Sequence, residues 1–130
     1  MYLHHVAVVC RSVENADAFY EKILGLEKKK DTTIPEGLTE KIFGIAEECR
    51  LLLYSGPSFT VEAFITRKEL KRKSSFEHIC LLLKDKHTFI ERCRAGGCDI
   101  NLVPRDDYFL TFIKDFDGNL FEIKEIDSLK

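Results

Sequence analysis

The feature that most constrains this chain is an internal repeat at about half its length. The first half opens with the segment HVAVV at His5, and the second opens with HICLL at His78. Each is a short apolar run that begins with a histidine and precedes a polar turn and an amphipathic helix pattern. Each half also carries a glutamate in its last strand pattern, Glu62 in VEA and Glu122 in FEI. The repeat predicts two copies of one small unit with the order strand, helix and three strands.

Two helices have clear start and stop signals. Ser12 can cap the first helix, apolar residues follow it at helical spacing, and Gly25 stands where a C-terminal glycine is expected. The second helix is predicted from about Asp85 to Gly96. A shorter helical turn is predicted around 38–43.

The strand patterns complete a prediction of the α+β class, with two tandem βαβββ modules forming a curved eight-stranded mixed sheet around a metal-binding cleft. We expect one domain over 1–130, with module one at about 1–66, a linker at about 67–75 and module two at about 76–130. The basic residues between the halves favour a solvated linker over a patch for an anionic partner. The predicted strands are 3–9, 28–33, 49–55, 59–65, 76–83, 99–103, 108–114 and 119–126.

Composition excludes several classes of protein. The chain has 130 residues, 45% of them hydrophobic and 32% charged, with a formal net charge of -2. That charge argues against a nucleic-acid partner, and no apolar run is long enough for a membrane span. The N-terminus enters a strand pattern directly, so we expect no signal peptide. Five cysteines, an odd number without a C-x-x-C pair, favour reduced thiols and a cytoplasmic location.

The two histidines and two glutamates of the repeat lie on matching faces. Strand side chains alternate between faces, and in each of the four strands the face that packs on the helix is apolar and the candidate lies on the other face. Two carboxylates that meet in one cleft repel each other unless a cation separates them. We therefore predict one divalent metal ion, chosen among Zn, Ni, Co, Mn and Fe, with the ligands His5, Glu62, His78 and Glu122. His4 is the rival to His5, and His87 is expected at the surface.

Two segments resemble the vicinal oxygen chelate superfamily, which includes glyoxalase I, bleomycin-resistance proteins, fosfomycin-resistance enzymes, methylmalonyl-CoA epimerase and extradiol dioxygenases. The first is HHVAVVCRSVENADAFYEKILGLE, similar to the family's opening strand and helix. The second is FLTFIKDFDGNLFEIKE, similar to its closing hairpin, with Phe116 in place of the usual proline. By position, the resemblance carries the family's metal ligands onto the same four residues.

The resemblance implies a glyoxalase I-like lyase or isomerase that acts on a small substrate with vicinal oxygens through a chelated enediolate. Glu122 is then the favoured catalytic base and Glu62 the second candidate, since pseudo-symmetry does not separate them. In three-ligand relatives Glu62 would be a bystander or a base. Family members of this length pair as homodimers, so the site is expected either within one chain or shared between subunits.

Other functions remain open at this point. A metal-free binding protein of the bleomycin-resistance type generally lacks the four ligands that are present here. An extradiol dioxygenase would require Fe(II) and oxygen. A fosfomycin thiol transferase would require a cationic pocket, for which Arg105, Lys114 and Lys124 are candidates. A cleft that has lost activity, in a regulator or scaffold, is a further alternative.

Overall fold

The computed structural model describes residues 1–67 and 76–129, which form two compact units with one shared topology. The units are Met1–Leu70 and Lys71–Lys130. The first contains β1 (His5–Cys10), α1 (Val13–Ala16) continued by a π-helix (Asp17–Ile23), β2 (Glu27–Ile34), α2 (Glu36–Phe43), β3 (Cys49–Ser55) and β4 (Thr60–Ile65). The second contains β5 (Ile79–Leu83), α3 (Lys86–Ala95), β6 (Asp99–Arg105), β7 (Tyr108–Lys114), β8 (Leu120–Glu125) and a 3-10 turn (Ile126–Leu129).

Each unit holds one mixed sheet of four strands. The strand order is β1-β4-β3-β2 in the first sheet and β5-β8-β7-β6 in the second. In both, the opening strand pairs in parallel with the closing strand, and the remaining pairs are antiparallel. The α+β class and the tandem βαβββ order are confirmed. The eight predicted strands are all present, divided between two four-stranded sheets.

The first helix begins and ends where the sequence predicts. The Ser12 hydroxyl accepts a hydrogen bond from the backbone N–H of Asn15 at 3.1 Å, which satisfies a donor of the first turn. The helix then widens into π-helical turns, which the apolar spacing did not reveal. Gly25, with φ of 73°, turns the chain out of the helix in the left-handed region that favours glycine.

The other two helices have different kinds of start. The Asp85 carboxylate caps α3 by accepting from the backbone N–H of Thr88 at 2.9 Å and from its hydroxyl at 2.6 Å. Helix α2 begins two residues before the turn predicted around 38–43, with Pro35 at its N-cap and no side-chain cap that the sequence could have signalled. It ends at Gly44, which has a φ of 72°.

The core lies on one face of each sheet, which leaves the other face for the candidate ligands. In the first unit, Phe19 and Tyr20 from the helix are fully buried with Tyr54 and Val61 from the sheet. In the second unit, Phe121 and Ile123 of β8 are buried in the same way. The face assignments made from strand alternation are therefore confirmed.

A buried aspartate shapes the turn that leads into β8. Asp115 Oδ1 accepts from the backbone N–H groups of Asp117 at 2.9 Å and Asn119 at 2.8 Å, and its Oδ2 accepts from Asn119 Nδ2 at 2.6 Å. Gly118, with φ of 86°, completes the turn. These bonds fix where β8 starts and therefore where Glu122 lies along it.

The predicted linker at 67–75 lies, apart from Arg67, outside the described residues, and so do most of its basic side chains. None of the described helices is long and apolar enough to cross a membrane.

We expect Asp115→Ala to lower the free energy of unfolding by about 3 kcal/mol, because it removes three hydrogen bonds to a buried charged group. Chemical denaturation monitored by circular dichroism measures the change. Asp107→Ala, at the exposed tip of the β6–β7 hairpin, is the matched control and should change stability by less than about 0.5 kcal/mol. Equal effects of the two substitutions would contradict the role assigned to Asp115.

Candidate metal centre

The first unit brings His5 and Glu62 together. His5 opens β1, and Glu62 on β4 is the ladder partner of Ala7, two residues after His5 on the same face. His5 Nε2 lies 3.3 Å from Glu62 Oε2. The imidazole remains 41% exposed and the carboxylate 23% exposed, so the pair faces open space beside the sheet.

The second unit repeats this pair in the same register. Glu122 on β8 is the ladder partner of Cys80, which lies two residues after His78. His78 Nε2 lies 3.2 Å from Glu122 Oε2, within 0.1 Å of the separation in the first unit. The sequence repeat therefore produces a repeat of side-chain geometry as well as of strands.

The tautomer of His78 is fixed by its other ring nitrogen. Nδ1 lies 2.8 Å from the carbonyl oxygen of Phe76. A carbonyl oxygen only accepts, so Nδ1 carries the proton. In the neutral ring, Nε2 then presents a lone pair towards the Glu122 carboxylate. Two such acceptors lie side by side favourably only with a proton or a cation between them, and a histidine anchored in this way is typical of metal ligands.

His4 is a partner of His5, although the sequence presented it as a rival. The Nδ1 atoms of the two rings lie 2.9 Å apart, and the rings meet edge to face with centroids 5.2 Å apart. When His5 donates in this bond, His4 accepts and His5 Nε2 is left with a lone pair towards Glu62. The adjacent histidines in the sequence could have indicated this contact, but strand alternation alone assigned His4 to the face opposite His5.

The donor set fits a divalent ion of the first transition row. Nitrogen and oxygen ligands at about 2.1 Å from one ion lie about 3.0 Å apart at an octahedral angle and about 3.4 Å apart at a tetrahedral angle. The observed separations of 3.3 Å and 3.2 Å fall between these limits. Among residues 1–67 and 76–129, no three His, Cys, Asp or Glu side chains form a metal-binding group. The four candidates are present as two pairs, one in each unit, and the meeting of the pairs stays a prediction.

Glu122 has neighbours that Glu62 does not share. Lys124 Nζ lies 3.6 Å from Glu122 Oε1, which brings a cation next to the second pair. Desolvation, followed by the negative charge of Glu122, raises the pKa of the Cys80 thiol. Without a bound metal ion the thiol is therefore protonated near neutral pH, which argues against a reactive nucleophile at this position. The ring of Phe112 packs edge to face on His78, with centroids 5.9 Å apart.

The other basic candidates lie further along the second sheet. Lys114 is exposed on the face that carries Phe112, the ladder partner of Glu122. Arg105 ends β6 at the hairpin tip, where it pairs with Tyr108, six residues along β7 from Lys114. Of the three, Lys124 alone forms an ion pair with a candidate ligand among the described contacts. His87 is exposed at the start of α3, as expected.

Known structures share this architecture. A glyoxalase family protein from Enterococcus faecalis superimposes with a TM-score of 0.71 and 21% identity, covering 93% of this chain and 94% of that one. A glyoxalase family protein from Bacillus cereus gives a TM-score of 0.74 and 16% identity, covering 96% and 93%. A mutant of the fosfomycin resistance protein FosX from Listeria monocytogenes, complexed with Mn(II) and 1S,2S-dihydroxypropylphosphonic acid, gives 0.69 and 16%, covering 94% and 87%.

Because the sequence identities are low, these likenesses establish the fold alone. No curated protein matches the chain significantly in sequence. The sequence model of the Glyoxalase/Bleomycin resistance protein/Dioxygenase superfamily, however, matches residues 2–123, nearly the whole chain. The tandem βαβββ units and this match lead to the same conclusion: the chain belongs to the Glyoxalase/Bleomycin resistance protein/Dioxygenase superfamily.

Proposed function

We propose that the protein is a metal-dependent lyase or isomerase of the glyoxalase I type, acting on a small substrate with two adjacent oxygens. The observation that carries the proposal is the paired geometry, in which each unit presents a histidine Nε2 and a glutamate Oε2 within 3.3 Å of each other. The anchored Nδ1 of His78 adds to it, because it leaves Nε2 free to bind a cation.

The four side chains would hold the ion as two nitrogen and two oxygen donors. Two carboxylates balance a charge of 2+, and this set suits Zn, Ni, Co, Mn or Fe. The Mn(II) found in FosX supports a divalent ion in a protein of this fold. When bound, the ion supplies Lewis acidity to the two oxygens of the substrate.

The glutamates supply the proton transfer. In the proposed isomerisation of a hemithioacetal, a carboxylate removes the proton from the carbon beside the carbonyl and returns it to the neighbouring carbon. No external electron donor or acceptor is needed, because the carbon that loses the proton is oxidised by two electrons, the former carbonyl carbon is reduced by two, and the hydroxyl proton passes to the former carbonyl oxygen. We assign Glu122 as the base by its resemblance to glyoxalase I, and Glu62 as the second candidate.

The assembly and location follow from the same proposal. Each unit supplies half of the ligand set, so the site requires both units, from one chain or from the two chains of a homodimer. All five cysteines are free thiols, which supports a reducing compartment such as the cytoplasm.

A second candidate, fosfomycin-type chemistry, is favoured by Lys124. Its ammonium group lies 3.6 Å from Glu122 Oε1, next to the proposed metal centre. A phosphonate group carries negative charge and would be attracted to a cation there. FosX shares the fold, which is compatible with this alternative and does not establish it.

We expect protein purified without chelator to contain about one divalent ion for each set of four ligands, measured by inductively coupled plasma mass spectrometry. Glu122→Gln should lower the metal content clearly, because an amide oxygen carries no charge to offset that of the ion. His87→Gln is the matched control, since His87 is exposed and away from both pairs, and it should retain the metal. Parent protein that stays metal-free after incubation with all five ions would overturn the proposal.

We expect hemithioacetals of methylglyoxal with small thiols to be converted to thioesters, followed by ultraviolet absorbance. In variants reloaded with metal to equal occupancy, Glu122→Gln should lower kcat by roughly 10²- to 10⁴-fold, the usual contribution of a general base. Glu62→Gln should lower kcat by less. A larger loss in Glu62→Gln would reverse the two roles, and opening of the fosfomycin epoxide without hemithioacetal turnover would favour the second candidate.

A further inference from the structure

We propose that the cavity beneath α2 is a binding pocket for a neutral apolar group of about the size of a phenyl ring, carried by the substrate next to its two chelating oxygens. This inference rests on the proposed function and names the class of substrate. It favours aryl or branched alkyl derivatives over a charged or peptide-like substituent at this position.

The pocket lies on the face of the first sheet that carries His5 and Glu62. Its floor is formed by β1, β3 and β4, and its roof by α2 and the segment that follows. Ala7 lines it and is also the ladder partner of Glu62, so the pocket begins about 5 Å from the candidate ligand. Val9 and Phe64, also paired across the ladder, extend it by about 7 Å, two residues further along β1.

Polar groups in the lining are already engaged with the protein. The Thr39 hydroxyl shares its one proton between the backbone carbonyls of Glu36 and Glu47, both within hydrogen-bonding distance. The Thr66 hydroxyl donates to the Glu47 carboxylate at 2.8 Å. The Cys49 thiol points to the carbonyl of Ile65 at 3.2 Å. A ligand therefore meets mainly carbon surface, and a charged group would lose its hydration without a partner.

The size and walls fit a ring. The cavity holds about 190 Å³, and an apolar cavity of about 150 Å³ in another protein takes up benzene. Phe43 and Phe64 contact each other edge to face, with centroids 5.3 Å apart, and together form one aromatic wall of the cavity, next to the apolar surface of Ile45. Aromatic walls of this kind favour flat apolar ligands.

The repeat shows that the fold does not require this pocket. In the second unit, Cys80, Leu82 and Lys124 occupy the positions of Ala7, Val9 and Phe64. Strands β6 and β7 are joined by a two-residue hairpin after Arg105, whereas β2 and β3 are joined by the segment that contains α2. The first unit thus has an added roof and an aromatic wall, which is the pattern expected of a specificity pocket.

The test compares two ligands that share adjacent oxygens and differ in the attached group, benzohydroxamate and acetohydroxamate. Isothermal titration of the metal-loaded protein should give roughly 10- to 100-fold tighter binding of benzohydroxamate, since the phenyl group buries more apolar surface. Val9→Phe, which fills the pocket, should bring this ratio close to one by weakening benzohydroxamate binding far more than acetohydroxamate binding. Leu82→Phe, at the matching position of the second unit, is the control and should keep the ratio.

A second measurement separates the pocket from the metal. Benzamide carries a phenyl ring without two adjacent oxygens, so on protein as purified it should shift the methyl NMR signals of Val9 and Ile45, while acetamide should not. Loss of hydroxamate binding with the benzamide shifts retained would disprove the proposed metal function and leave the pocket intact. Equal affinities for the two hydroxamates, together with absent benzamide shifts, would overturn the pocket.

Discussion

The parallel pairing of the first and last strand in each unit is the constraint on which the candidate site depends. A histidine at the start of the opening strand and a glutamate in the closing strand are 57 residues apart in the first unit, by their numbers His5 and Glu62. The ladder makes Glu62 the neighbour of Ala7, and the carboxylate therefore lies on the same face of the sheet as the His5 side chain. Because the helix and core cover the opposite face, an imidazole or carboxylate there would have to be buried, which is costly. The geometry of the pair is therefore a consequence of sheet register.

The Nδ1 atoms of His5 and His78 each form a hydrogen bond, but with different kinds of partner. The Phe76 carbonyl holds His78 through Nδ1, while a second imidazole, His4, holds His5. A carbonyl can only accept, so it fixes one tautomer, whereas an imidazole can donate or accept. The second unit is thus committed to presenting the Nε2 lone pair of its neutral ring. The first unit presents the same lone pair when His4 accepts the hydrogen bond from His5, so the two halves of the proposed ligand set differ in preorganisation.

Most of the fold could be predicted from the sequence because the strong signals were local. Capping by Ser12 and Asp85, and alternation in the strands, each depend on neighbouring residues. The division of the strands into two sheets depends on pairing between distant segments, which no local pattern encodes. The extent of α2 was underestimated because it begins at Pro35 without a side-chain cap. At the site, the face of each ligand followed from alternation, but the bond between His4 and His5 depends on ring rotation, which period-two reasoning does not include.

Positions that match between the two units and positions that differ would have separate roles in the proposed enzyme. Positions that match between the units, the histidine and the glutamate, are those that a metal ion requires. Positions that differ surround them: Phe64 in the first unit stands where Lys124 stands in the second. A metal ion binds any pair of adjacent oxygens, so the ligands alone cannot select a substrate. Selection of a substrate would then come from the residues next to the proposed ligands. These residues form an apolar pocket beside Glu62 and place the ammonium group of Lys124 beside Glu122. Substitutions at Phe64 should accordingly change which substrate is preferred while leaving metal affinity nearly unchanged, whereas substitutions at Lys124 should change both, because its ammonium group pairs with Glu122.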